Sequence, residues 1–186
     1  VLRNSQTLTI TSANTLAVDG TLTATITTTA ASGQGGLITF AISAGSGSAT
    51  VDANTGLITG LRAGTITLTA TSSGDSNYDP ASTSQLITIG MSTPTLTITS
   101  AGALPVGGTL TATVSTTAGA GQGGAITFAI EAGSGSATVD ANTGLITGIS
   151  VGTITLTATS AGDSDYTSAS ITQLITVGTS TPTLTI

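Results

Sequence analysis

The side chains able to do chemistry are few. Eight acids and two arginines are the only charged residues among 186, and His, Cys, Lys and Trp are absent. The acids are Asp19, Asp52, Asp75, Asp79, Glu131, Asp140, Asp163 and Asp165. Without His, Cys or Lys, nucleophilic catalysis and general base chemistry near neutral pH have no ordinary agent. A carboxylate pair such as Asp163/Asp165 has the residue types for acid–base work on a sugar bond, but both lie in a polar loop signature, where solvated turn residues are the plainer reading. The expectation is that the chain is not an enzyme and carries no catalytic residues or organic cofactor.

Calcium is the metal these residues suit. Asp52-Ala53-Asn54-Thr55-Gly56 spaces oxygen side chains two apart and then turns at a glycine, and Asp140 with Asn142 repeats the pattern. Asp163 with Asp165 is a second candidate, as is Asp75 with Asp79. Calcium needs about 6–8 oxygens, and an EF-hand-type loop adds a bidentate acid at its twelfth position. Neither copy has that acid, so turn closure by Asp and Asn is the stronger reading.

The charged share of 5% compares with about 25% in ordinary domains. With a formal charge of −6 and only Arg3 and Arg62 as cations, the surface cannot neutralise a phosphate backbone. It is equally unsuited to an anionic membrane surface. A Thr or Ser breaks the apolar residues almost every second position, so no run of about 18 apolar residues exists to insert in a membrane.

The elements that position these acids recur. Val51–Gly60 returns at Val139–Gly148, Gly33–Gly36 at Gly121–Gly124, and Gly64–Ser72 from Gly152, each 88 residues on. Leu8–Gly90 and Leu96–Gly178 are identical at 63 of 83 positions, without a gap. Ser92–Ile98 returns once more at Ser180–Ile186. The expected organisation is repeat 1 over 1–91, repeat 2 over 92–179, and 180–186 as the first strand of a further repeat or an inter-subunit strand. The lack of an initiator Met before Val1 reads as a processed or excised piece of something longer. Pro94 restricts itself and Thr93, so the junction near Gly90–Pro94 is expected to limit bending.

Alternation of apolar and polar residues marks half-buried strands. In repeat 1 the strands expected are Leu8–Ser12, Thr21–Thr28, Ile38–Ser43, Ala49–Asp52, Leu57–Thr59, Thr65–Ser72 and Gln85–Ile89. About seven short strands per repeat, separated by Gly-, Asp- and Asn-rich turns, indicate an all-β fold of two tandem immunoglobulin-like β-sandwiches. The expected inward set is Ile10, Leu22, Ile26, Ile38, Phe40, Ile42, Val51, Ile58, Ile66, Leu68, Ile87 and Ile89. Tyr78 and Tyr166 are expected to plug the ends of their sandwiches, each hydroxyl held by a backbone group.

Ala49–Gly60, Gly64–Thr71, Gly74–Tyr78 and Gln85–Ile89, with their counterparts Ala137–Gly148, Gly152–Thr159 and Gly162–Tyr166, resemble the bacterial immunoglobulin-like repeats of large surface proteins, including invasin- and intimin-type adhesins. The resemblance implies an extracellular, cell-surface location and a structural role in a stalk or fibre that projects a binding tip. The partners it implies are neighbouring repeats. A second expectation is a self-assembling filament in which Thr183, Leu184, Thr185 and Ile186 add as a strand to a neighbouring copy. A glycan- or ice-binding module built on the outward threonine rows ranks lower: sugar sites favour exposed aromatics, which make up 2% of the chain, and an ice face must be flat whereas sheets twist.

Overall fold

Threonine and isoleucine alternating along the chain favour extended backbone, because branching at Cβ is accommodated on a pleated surface. The computed structural model describes residues 2–180, and no helix occurs among them. The chain divides into two units between Ser92 and Thr93, one residue beyond the expected boundary. Each unit repeats one topology.

In unit 1, β1 (Leu8–Ile10) pairs antiparallel with β4 (Ile26–Thr28). β3 (Thr21–Thr23), β7 (Leu57–Arg62) and β6 (Ser48–Val51) form a three-stranded antiparallel sheet. The opposing layer has the order β2 (Thr15–Ala17), β9 (Ala81–Gly90), β8 (Gly64–Ser72) and β5 (Ile38–Ala44). β2 runs parallel to β9, whereas the other pairs of that layer are antiparallel. Unit 2 repeats the plan. β10 (Leu96–Ile98) pairs with β13 (Val114–Thr116). β12 (Thr109–Thr111), β16 (Leu145–Ser150) and β15 (Ser136–Val139) form one sheet. β11 (Ala103–Pro105), β18 (Ala169–Gly178), β17 (Gly152–Ser160) and β14 (Ile126–Ala132) form the other.

Nine strands per unit replace the seven expected, for two reasons. The expected strand Thr21–Thr28 is interrupted at Ala24–Thr25, where it changes partner from β7 to β1. The ladder continues across the break, with the Ala24 N–H donating to the Gly56 carbonyl at 2.9 Å and the Thr11 N–H to the Thr25 carbonyl at 2.8 Å. The first strand also ends early, after which the chain crosses to the other layer as β2. Three residues are too few to show a period, so β2 left no pattern in the sequence.

The core lies between the layers. Ile66, Leu68 and Ala70 of β8 are fully buried, as are Ile58 and Ile87, and Ile89 and Val18 nearly so. Phe40 is buried beside them, while Ile10, Leu22, Ile26, Ile38, Ile42 and Val51 of the expected set are half-buried. Leu8 and Ala24 complete the buried apolar set. Unit 2 centres on Leu104, Ile146, Ile154, Leu156, Ile175 and Val177.

Candidate functional site

Four of the eight acids, Asp52, Asp75, Asp140 and Asp163, are built into turns. Asp52 directly follows β6, and its Oδ1 accepts the N–H groups of Asn54 (2.9 Å) and Thr55 (2.8 Å). Its carbonyl accepts the Gly56 N–H at 2.9 Å, which closes the hairpin into β7. Gly56 has φ 69°, and a Cβ there would press on Phe40 and Ala24 at 3.0–3.1 Å. Asp140 makes the same turn, taking the N–H groups of Asn142 (3.0 Å) and Thr143 (2.8 Å). The Thr55 and Thr143 N–H groups, then those of Asn54 and Asn142, hold these carboxyls below their ordinary value.

A second arrangement joins two loops distant in sequence. The Asp75 Oδ1 accepts the N–H groups of Asn77 (2.7 Å) and Tyr78 (2.9 Å), while its Oδ2 accepts the Gly35 N–H at 2.7 Å. Ser72 Oγ donates to the Gly35 carbonyl, so Gly35 is gripped on both sides. In unit 2, Asp163 takes the N–H groups of Asp165 (2.8 Å), Tyr166 (2.9 Å) and Gly123 (2.7 Å), and Ser160 Oγ donates to the Gly123 carbonyl. The Gly-Gln-Gly-Gly loop therefore interlocks with the Gly-Asp-Ser loop in both repeats. Backbone N–H groups lower the Asp75 carboxyl, Asn77 foremost, and the Asp163 carboxyl, Asp165 foremost.

Gln6 adds a knot to unit 1 alone. Its Nε2 donates to the carbonyls of Gly35 and Asp79, both at 2.9 Å, and to Ser72 Oγ at 3.0 Å. Two N–H hydrogens are shared among three acceptors, and the Thr28 hydroxyl donates to its Oε1 at 3.2 Å. The position 88 residues later is the buried Pro94, which has no such donors. The Tyr78 hydroxyl accepts the Ala31 N–H at 3.3 Å, the backbone hold on its hydroxyl expected from the sequence. Tyr166 is buried, with 1% exposed.

Chemically, Oδ1 of Asp52, Asp75, Asp140 and Asp163 each accepts two backbone N–H groups, as an Asx turn requires. Of the pair Asp163 and Asp165, the Asp163 carboxylate is engaged as an acceptor of backbone N–H groups, that of Asp165 among them. Calcium at these turns would have to compete with N–H donors for oxygens it needs. Among the described residues no group of three or more acidic, His or Cys side chains could hold a metal ion, and no pocket is present. The assembly residues Thr183, Leu184, Thr185 and Ile186 lie outside the described residues.

Two β-sandwiches of one topology, closed by the same turns, match a known domain. The bacterial Ig-like domain (group 2) matches residues 5–78 and again 92–173. The chain belongs to this family. Its domains occur in surface or extracellular proteins. A similar solved structure is that of the fibronectin(III)-like modules of Clostridium thermocellum CbhA, at 16% identity and a TM-score of 0.35, covering 92% of this chain and 94% of that one. No curated protein matches the chain. No helix among the described residues is long and apolar enough to cross a membrane.

The depressed carboxyl values of this family member predict its acid response. A carboxyl lowered in the folded state contributes stability that is present above its unfolded value of about 3.9 and is lost as pH falls through the folded value. Melting followed by circular dichroism should give a Tm that is level from pH 7 to about 5 and falls steadily below about 4. Asp75→Asn with Asp163→Asn should lower the neutral-pH Tm and flatten that fall. An acid response identical to the parent's would show that these carboxylates do not hold the loops.

Proposed function

We propose that this chain is a structural segment of an extracellular, cell-surface fibre or adhesin stalk. In this reading its fold and stiffness are its activity, and it is not an enzyme. The observation that carries the reading is duplication with the same internal wiring. Both units close the same turns with Asp52 and Asp140, and both lock the same loops with Asp75 and Asp163. The repeated carboxylates thus support turn closure in each copy. A row of such units needs only to be long, folded and repeated.

A second reading, a filament joined head-to-tail by strand addition, rests on one specific feature. Residues 180–186 repeat 92–98, and Leu96–Ile98 is strand β10, paired with Val114–Thr116. By analogy Leu184–Ile186 would take the equivalent edge of a neighbour, Ile26–Thr28. That edge is held by the neighbour's own β1, which an incoming strand must displace, so this reading ranks second.

Electron microscopy of the native material, with its mass, tests both. Single strings from one very large chain are the result expected for a stalk. Regular fibres built from units of about 18 kDa (17.7 kDa for this chain) would replace it with the filament.

A further inference from the structure

In each unit the strands nearest its two ends within the four-stranded layer lie side by side and run the same way. β2 pairs with β9 through Thr15↔Thr88, Leu16↔Ile89 and Ala17↔Gly90. The Thr88 N–H donates to the Asn14 carbonyl, and the Val18 N–H to the Gly90 carbonyl, both at 2.9 Å. Unit 2 repeats this with β11 and β18, where the Thr176 N–H donates to the Gly102 carbonyl and the Val106 N–H to the Gly178 carbonyl, again at 2.9 Å.

We propose that this parallel pair is a shear clamp that bears load when a unit is pulled by its two ends. Tension draws β2 back toward its start and β9 forward toward its end. In a parallel ladder these directions slide one strand along the other, so every bond crossing between them is loaded together. An antiparallel pair held at the same end would open one bond after another. β1 precedes the clamp, so its release from β4 passes the load to β2.

Relative strengths place the yield point. β9 is held to β8 over nine residue pairs and β8 to β5 over seven, whereas β2 is held to β9 over three. Within that layer, once β1 has released, β2 is therefore the strand that slides first. Val18 follows β2 directly and is 2% exposed, so sliding also drags an apolar side chain out of the core. Unit 2 shows which bonds matter. Pro105 stands where unit 1 has Ala17, and proline is tolerated in a strand where its missing N–H faces away from the partner. The donors across the clamp flank that position, as Val18 and Val106 show.

The biological sense of the clamp rests on the stalk reading, but its existence does not. The test is single-molecule force spectroscopy on the full chain, which has no cysteine and so accepts a defined handle at Ser76→Cys. Asn4 bridges Tyr78, and its N–H donates to the Asn77 carbonyl at 2.7 Å. A pull between the N-terminus and position 76 thus separates neighbouring segments by peeling. Forced unfolding reports the barrier along the pulling direction, so the end-to-end unfolding force of unit 1 should exceed the N-terminus-to-76 force by about twofold. Val18→Pro should bring the end-to-end force of unit 1 down toward the peeling value, and Ala17→Pro should leave it unchanged. Equal forces in the two directions would overturn the clamp, even where Val18→Pro fails to fold. They would leave the stalk reading to be decided by microscopy.

Discussion

Gly36→Ala is expected to destabilise unit 1 by about 3 kcal/mol or more, among the largest effects of any single substitution here. Two costs add. Gly36 has φ 84°, a left-handed conformation that charges an L-residue about 1–2 kcal/mol. A Cβ built there would also overlap the Gly74 carbonyl oxygen and crowd Ser73 Oγ at 2.5 Å. The obstacle is mainly backbone, and that backbone is itself anchored, since the Gly74 N–H donates to Ser72 Oγ at 3.2 Å and the next residue, Asp75, grips Gly35. Relief therefore requires the two interlocked loops to part. Gly33→Ala is the internal control. Gly33 has φ 76°, but a Cβ there meets nothing within 4 Å, so only the conformational cost of about 1 kcal/mol should appear. Urea melts of the two variants separate the terms, and equal losses would mean that the loops do not interlock.

Leu156→Ala should cost unit 2 about 3–4 kcal/mol. Leu156 is fully buried on the central strand β17, in one cluster with Leu104, Ile146, Ile154, Ile175 and Val177. β17 has a partner along its full length on one side and along most of it on the other, so its backbone cannot move inward to fill the void left by the lost side chain. For a domain of about 90 residues, whose whole stability is about 5–13 kcal/mol, this is a large fraction. The Tm of unit 2 should fall by roughly 12–32 °C, at about 4–8 °C per kcal/mol. Leu174→Ala supplies the contrast. Leu174 is 63% exposed on the neighbouring strand β18, and its loss should lie within about 0.5 kcal/mol. Scanning calorimetry of the two variants checks both values. A Leu156→Ala loss as small as that of Leu174→Ala would place the core elsewhere.

The buried Leu156 and the exposed Leu174 show how far one-dimensional reading reaches. Leu156 falls in the same strict Thr/apolar alternation as its counterpart Leu68, which period two assigned to the interior. Around Leu174 the residues Gln173-Leu174-Ile175-Thr176 place two apolar side chains in succession, and the pleat must turn one of them outward. Ile175 goes in because it lies on the same face as its partner Ile154, which is buried in the core, whereas Leu174 lies on the opposite face beside Thr155. The half-burial of Ile10, Ile26 and Ile42 was not legible, because burial within one face depends on what the opposite layer places over it.

The sequence alone determined the all-β class, the 88-residue repeat, the hairpin at Asp52–Gly56 and the strands with a clear period. Each of these rests on local chemistry: side-chain alternation, glycine at a left-handed turn position, and an Asp that accepts N–H groups two and three residues ahead. Tertiary structure decided the change of layer that makes β2 a parallel neighbour of β9, the gathering of four groups around Gln6, and the grip of Asp75 on Gly35, 40 residues away. Those contacts join segments with no shared period. Their residues are ones that local rules assign to loops, and only closure of the sandwich brings them within hydrogen-bond distance.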